Sequence, residues 1–148
     1  MKIYVDADAC PVKDIIIEVA REQQIPVIMV CSLSHYSDYK EDAEYIIVDN
    51  IPQAADITIM NKVKSGDIVV TQDYGLASLV LEKGAIALHH SGKRYTSENI
   101  DHLLFKRHLA VKIRRGGGKI SGPKTFSKKD KESFRQALLK LVLQFRQE

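Results

Sequence analysis

Cysteine is scarce in this chain: two in 148 residues, Cys10 and Cys31. Their spacing gives neither a disulfide framework nor a paired metal-binding motif, so a reducing, cytoplasmic setting is expected. Long apolar runs are missing as well. Nothing approaches the roughly 20 residues of a membrane-spanning helix, so no membrane association is expected. The apolar start is interrupted by Asp6 and Asp8, and a secretory leader is not expected. There are no internal repeats and no composition break, so a chain of this length reads as one domain. What is present is an ordinary globular composition, 45% hydrophobic, sufficient to bury a core.

Charge is unevenly distributed. The formal net charge is +3, yet twelve Lys and Arg face only Asp130 and Glu132 between Lys106 and Lys140, while the remainder carries ten basic and seventeen acidic residues. An acidic body with a basic tail implies an acidic site and an anionic partner for the tail, nucleic acid above all. A solvated pair of basic helices is the plain alternative.

The pattern of elements alternates. Ile3–Val5 reads as a short buried strand, and Pro11 to about Gln23 as an amphipathic helix opened by the proline. Strands are expected at 26–30, 45–48, 68–70 and 85–88, with helices after Pro52 and around Leu76–Val80, the latter stopped by Gly84. This alternation predicts a mainly parallel sheet with helices on both faces, a three-layer α/β/α fold. Residues 31–42 read as polar and turn-like. Beyond Thr96 the pattern becomes helical over 97–113, then a basic glycine-rich loop at 114–124, then a terminal helix at 127–145.

Four acids stand out. Asp6 and Asp8 close the first strand two residues apart, and extended side chains at that spacing point the same way. Asp73 follows the fourth strand, with Thr71 on its side of the pleat. Asp56 falls within the nearly apolar AADITIM, where an unpaired dry carboxylate costs several kcal/mol, so a partner, water or cation is expected. Gathered acids repel one another and invite protonation or a hard cation, Mg²⁺ or Mn²⁺. Asp6, Asp8 or Asp73 alone reads equally well as a cap or a solvated acid. Lys13, Ser32 and Thr71 are placed to meet a substrate, as are Arg114, Arg115 and Lys119 in the glycine-rich loop, where backbone N–H groups can approach phosphate; a solvated lysine and a plain connector between helices are the alternatives for Lys13 and the loop. Ser34 accompanies Ser32, with turn roles the alternative. His89 and His90 follow the fifth strand as ligands, bases or plain surface residues. Cys10 is either a reactive thiol at a helix start or a small packed residue. Tyr95, Phe105 and Phe126 are base-stacking or core residues.

Four segments in order, VDADACPVK, AAD at Ala54–Asp56, VVTQDYGLA at Val69–Ala77 and RRGGGKISGPKTF, resemble the YaiI/YqxD (DUF188, UPF0178) family of uncharacterised bacterial proteins over essentially the whole chain. That group is placed among PIN-like domains, relatives of metal-dependent nucleases. The resemblance implies a PIN-like α/β/α domain spanning 1–148, with an α/β core at 1–95 and a basic helical extension at 96–148. It implies a Mg²⁺- or Mn²⁺-dependent nuclease, with RNA the expected substrate. Carried over, the catalytic and metal-binding acids are Asp6, Asp8, Asp56 and Asp73, with Thr71 beside the last. Typical PIN nucleases have a further acid soon after the T-x-D acid; here none occurs before Glu82, and Asp8 is the available substitute. The residues alone also accommodate a haloacid-dehalogenase-like phosphatase, although no suitable later lysine or cap insertion is seen. They accommodate a receiver-like switch using Asp6, Asp49, Thr71 and Lys93, and a non-catalytic nucleic-acid-binding protein.

Overall fold

Ile3–Val5, Val27–Cys31 and Ile68–Val70 are buried along their whole length. Strands covered on both faces must belong to a parallel sheet between helical layers. The computed structural model describes residues 1–8, 10–34, 42–102 and 126–146. Its strands are β1 (Ile3–Asp6), β2 (Val27–Ser32), β3 (Glu44–Val48), β4 (Ile68–Val70) and β5 (Ile86–Leu88). Its helices are α1 (Lys13–Gln23), α2 (Ala54–Lys62), α3 (Tyr74–Glu82) and α4 (Lys128–Phe145). Residues 97–102 are also helical, opened by reciprocal hydrogen bonds between Thr96 and Asn99.

All strand pairings are parallel, in the order β3-β2-β1-β4-β5. Ile3 lies opposite Val27 on one side and Ile68 on the other. Successive residues of β1 serve different layers. Ile3 and Val5 join the core under α1 and α4, with Ile16, Val19, Phe134 and Leu138. Tyr4 joins the core under α2 and α3, with Ile28, Val69, Ile59 and Leu76. This period of two delivers Asp6, two residues past Tyr4, on the α2–α3 side.

Two expectations change. Pro11 does not open α1: the Cys10 N–H bonds to the Ala7 carbonyl, so the chain is still turning through Pro11 and Val12. The first helical bond runs from the Ile16 N–H to the Val12 carbonyl. The polar stretch at 31–42 begins as strand, since Cys31 and Ser32 complete β2. Residues 35–41, 103–113 and the glycine-rich 114–124, with Phe105, Arg114, Arg115 and Lys119, lie outside the described residues.

The terminal helix is more than an appendage. Ser127 and Asp130 form a capping box at its start, and Phe134, Leu138, Leu141 and Val142 are buried at helical spacing. Arg135 pairs with Glu18 of α1. Cys10 is a packed residue, its thiol pushed up to about 11 by burial. Among the described residues no helix is long and apolar enough to cross a membrane.

Candidate carboxylate site

Strand order locates the site. Leaving β1 the chain moves to β2 and β3, then crosses to β4 and β5 on the other side. The reversal falls between β1 and β4, and open α/β sheets bind ligands at the carboxyl ends of strands flanking such a point. Asp6 ends β1, and Thr71 follows β4. The receiver-like reading requires the order 2-1-3-4-5, which this sheet does not have.

Each acid is held by a distinct local device. The Thr71 hydroxyl donates to Asp6 Oδ2 at 2.9 Å and accepts the Asp73 N–H at 3.0 Å. One buried hydroxyl thus links the two strand ends. The Tyr95 hydroxyl donates to the Thr71 carbonyl at 3.0 Å from beneath. Asp73 is the N-cap of α3, its Oδ1 accepting the Gly75 and Leu76 N–H groups at 2.8 and 3.2 Å. A Cβ on Gly75 would lie 3.1 Å from that oxygen, so the glycine leaves room for the cap. Asp8 accepts the Ser32 N–H at the end of β2. Asp56, within the apolar AADITIM stretch, is in the first turn of α2, where the helix dipole favours a negative charge.

The electrostatics record this crowding. Asp56 is pushed up to about 7, chiefly by burial, then by the Asp73 charge, a hydrogen bond shared with the Asp73 carboxyl, and Asp6. Asp6 is raised above its ordinary value by burial, opposed by the Thr71 bond and reinforced by Asp73 and Asp8. The Asp56 carboxyl therefore holds its proton far more readily than an ordinary carboxylate. Among the described residues no group of three or more His, Cys, Asp or Glu is arranged to hold a metal ion directly.

Two cavities flank the acids. One of about 340 Å³ is lined by Asp6, Asp8 and Asp73 with Gln72, Tyr74 and His90. The other, about 510 Å³, takes in all four acids together with Ser32, Ser34, Asp49 and Asn50. Among the described residues neither has a lysine or arginine in its lining. The four expected acids are thus brought together. Ser32 lines the larger cavity, its hydroxyl 3.2 Å from that of Ser34, which donates to Asn50 at 3.1 Å. Lys13 lines neither cavity, and fully buried Thr71 positions Asp6 and Asp73 instead of facing a substrate. Tyr95 is a core residue, and Phe126 packs against the other core.

His90 is the residue whose place was least visible. It is 1% exposed, and neither ring nitrogen has a hydrogen-bond partner. Burial, then His89, lowers it to about 4, so it is neutral at pH 7. The available signal was its position just past β5, on the same sheet edge. Asp49 and Asn50, just past β3, carried the same signal.

Comparison with known proteins agrees along the whole chain. The family model described as "Uncharacterized BCR, YaiI/YqxD family" (DUF188) matches residues 4–144. A UPF0178 protein of Bacillus cereus (strain ZK / E33L) is 54% identical over 145 residues, 97% of this chain and 99% of the relative. One of Enterococcus faecalis (strain ATCC 700802 / V583) is 51% identical over 144 residues, covering 96% and 97%. One of Bacillus mycoides (strain KBAB4) is 56% identical over 137 residues, covering 91% and 94%. No solved structure matches the chain.

Proposed function

The chain belongs to the YaiI/YqxD family, and from that premise and its carboxylate edge we propose a metal-dependent phosphodiesterase acting on RNA. The PIN-like resemblance of its acid motifs points to this chemistry. The observation that carries the reading is the convergence of Asp6, Asp8, Asp56 and Asp73 around one cavity, with no basic side chain in its lining among the described residues. A site built to bind phosphate directly would surround it with Arg, Lys or N–H donors. A site that binds phosphate through a cation gathers acids.

The donor set fits such a cation. Its side-chain donors are hard oxygens, and Mg²⁺ is held by one or two carboxylates while keeping several waters. A fully formed protein cage is not required, and the raised Asp56 carboxyl, buried beside Asp73 and Asp6, marks where positive charge is needed. Asp6 and Asp73 would hold the ion, with Asp8 and Asp56 reaching it directly or through water. When bound, the ion would lower the pKa of a coordinated water and stabilise the leaving oxygen of the phosphodiester.

This chain's own residues do the rest. The Thr71 hydroxyl aims Asp6. The Ser32 N–H fixes Asp8 against β2. Asp56, its carboxyl pushed up to about 7, would have to be deprotonated to serve as a ligand. Water attack on phosphorus, with departure of the far ribose oxygen, leaves the phosphate on one product.

The test is incubation of labelled single-stranded RNA with the protein and Mn²⁺, alongside Asp6→Asn, with p-nitrophenyl phosphate as a monoester control. We expect Mn²⁺-dependent RNA cleavage, reduced roughly 100-fold or more in the variant, and no monoester hydrolysis. Cleavage surviving in Asp6→Asn rejects the site. Monoester turnover alone supports the phosphatase reading, and RNA binding without turnover a binding protein.

A further inference from the structure

A third depression, of about 680 Å³, lies between α2 and α3. It shares Asp56 and Asp73 with the carboxylate cavity, so the two are continuous. Its character is different. The walls are Ile57, Met60 and Leu79, and Gln53 and Asn61 contribute side-chain amides. Ile57 is 59% exposed and Leu79 47% exposed, on facing helices. α2 buries Ile59 on one side and presents Ile57 to solvent on another.

The lining selects the occupant. Among the described residues the lining has no basic side chain and two acids at one end, which disfavours an anionic occupant. An uncharged flat ring fits: its face lies on Ile57, Met60 and Leu79, and its polar edge meets an amide. The volume is of the size that takes a small ligand. The continuity through Asp56 and Asp73 places such a ring next to a phosphodiester held at the carboxylates.

Gln53 strengthens the assignment. It has φ 68° and ψ 4°, left-handed backbone that is costly for a residue other than glycine. It makes no capping hydrogen bond in return. Its side chain lines both the groove and the larger carboxylate cavity. The strained backbone holds an amide at the junction of the two.

We propose that the groove between α2 and α3 is a nucleobase subsite, taking the base of a nucleotide adjacent to the phosphodiester at the carboxylates. The inference rests on the reading of that edge as a phosphodiester site. It adds what reads the substrate: an uncharged ring is bound on the acidic side of the molecule, so base and phosphate are recognised by different surfaces.

The experiment compares two oligomers of equal charge, an adenylate hexamer and an abasic ribose-phosphate hexamer. Binding is followed by fluorescence anisotropy in Ca²⁺, with the wild type and an Ile57→Ser/Leu79→Ser double variant. Ile57 is mostly and Leu79 about half exposed, and a thermal melt of the variant confirms that it is folded at the assay temperature. The wild type is expected to prefer the adenylate hexamer by about tenfold or more. The double variant should reduce that preference below about threefold and leave abasic binding unchanged. A wild type with no preference, or a preference that survives in the variant, overturns the subsite. So does a variant that dissociates a dimer in sedimentation while its preference persists, since the groove then receives a second copy of the chain. A base preference that depends on the groove, without Mn²⁺-dependent cleavage, removes the nuclease reading and keeps the subsite. Cleavage without base preference does the reverse.

Discussion

Asp73 holds two positions at once, cap of α3 and partner of Asp56, and this explains why residues around it resist simple classification. Its Oδ1 is engaged by two backbone N–H groups, yet a carboxylate has further lone pairs to offer. Capping and ligand binding are therefore compatible in one side chain. The cost falls on Asp56, whose carboxyl is pushed up to about 7. A folded-state value above the unfolded one contributes stability below the unfolded pKa and loses it as pH rises through the folded pKa. The protein without metal should weaken between about pH 4 and 8 from this group. In EDTA, Asp56→Asn should match the wild type near pH 4 and exceed it at pH 8 by about 1–2 kcal/mol, after discounting for partial solvent screening. Urea unfolding at the two pH values checks this, and parallel profiles would exclude the strain. At this scale the four acids were legible because strand ends and the T-x-D pattern mark them. His90 was not, since the acids it shares a cavity with come from β1 and the β4–α3 turn, far away in sequence.

At the scale of elements, opposite charges occupy opposite layers. Asp56 and Asp73 belong to the α2–α3 layer, while α4, on the other face of the sheet, presents Lys128, Lys129, Lys131 and Lys140 to solvent. A polyanion bound by the basic tail is a prediction that salt dependence tests. If roughly four to six phosphates are neutralised, the log–log salt slope for single strands should be about −3 to −4. Replacing Arg114, Arg115 and Lys119 by Ala should flatten it by about 2 and weaken all sequences alike, with little change in melting temperature. Anisotropy across a salt series measures it, and an unchanged slope reduces the loop to a connector. Periodicity made these elements readable, since burial alternates in strands and recurs every third or fourth residue in helices. The start of α1 was misjudged because proline suits a tight turn as well as a first helical turn. Both roles want the same φ, and only the Cys10–Ala7 bond separates them.

For the whole molecule, the layer count followed from alternating elements, but strand order did not, since local pattern does not say on which side of β1 a strand adds. That order is what brings Asp6 beside Thr71. The same long-range logic governs α4, which presses on the turn after β5: a Cβ on Gly92, at φ +90°, would lie 3.1 Å from both the Ala137 Cβ and the Ser133 carbonyl. Gly92→Ala combines left-handed strain with a clash against helix backbone. It should cost about 2 kcal/mol or more, a fall of roughly 4–8 °C in a thermal melt. An unchanged melt would mean that α4 is free to shift. The docking of α4 has a further consequence in time. Phe134 shares one core with Ile16, Val19 and Ile3, and Arg135 reaches Glu18 across 117 residues of chain. During translation the sheet and α1 emerge with that face still lacking its α4 cover. At roughly 5–20 residues per second, the ribosome needs about 3–11 s to go from Leu88, the end of β5, to Phe145, the end of α4. For that interval a nascent chain offers Ile16 and Val19 to whatever apolar surface is nearest, and the helix made last ends the exposure of the strand made first.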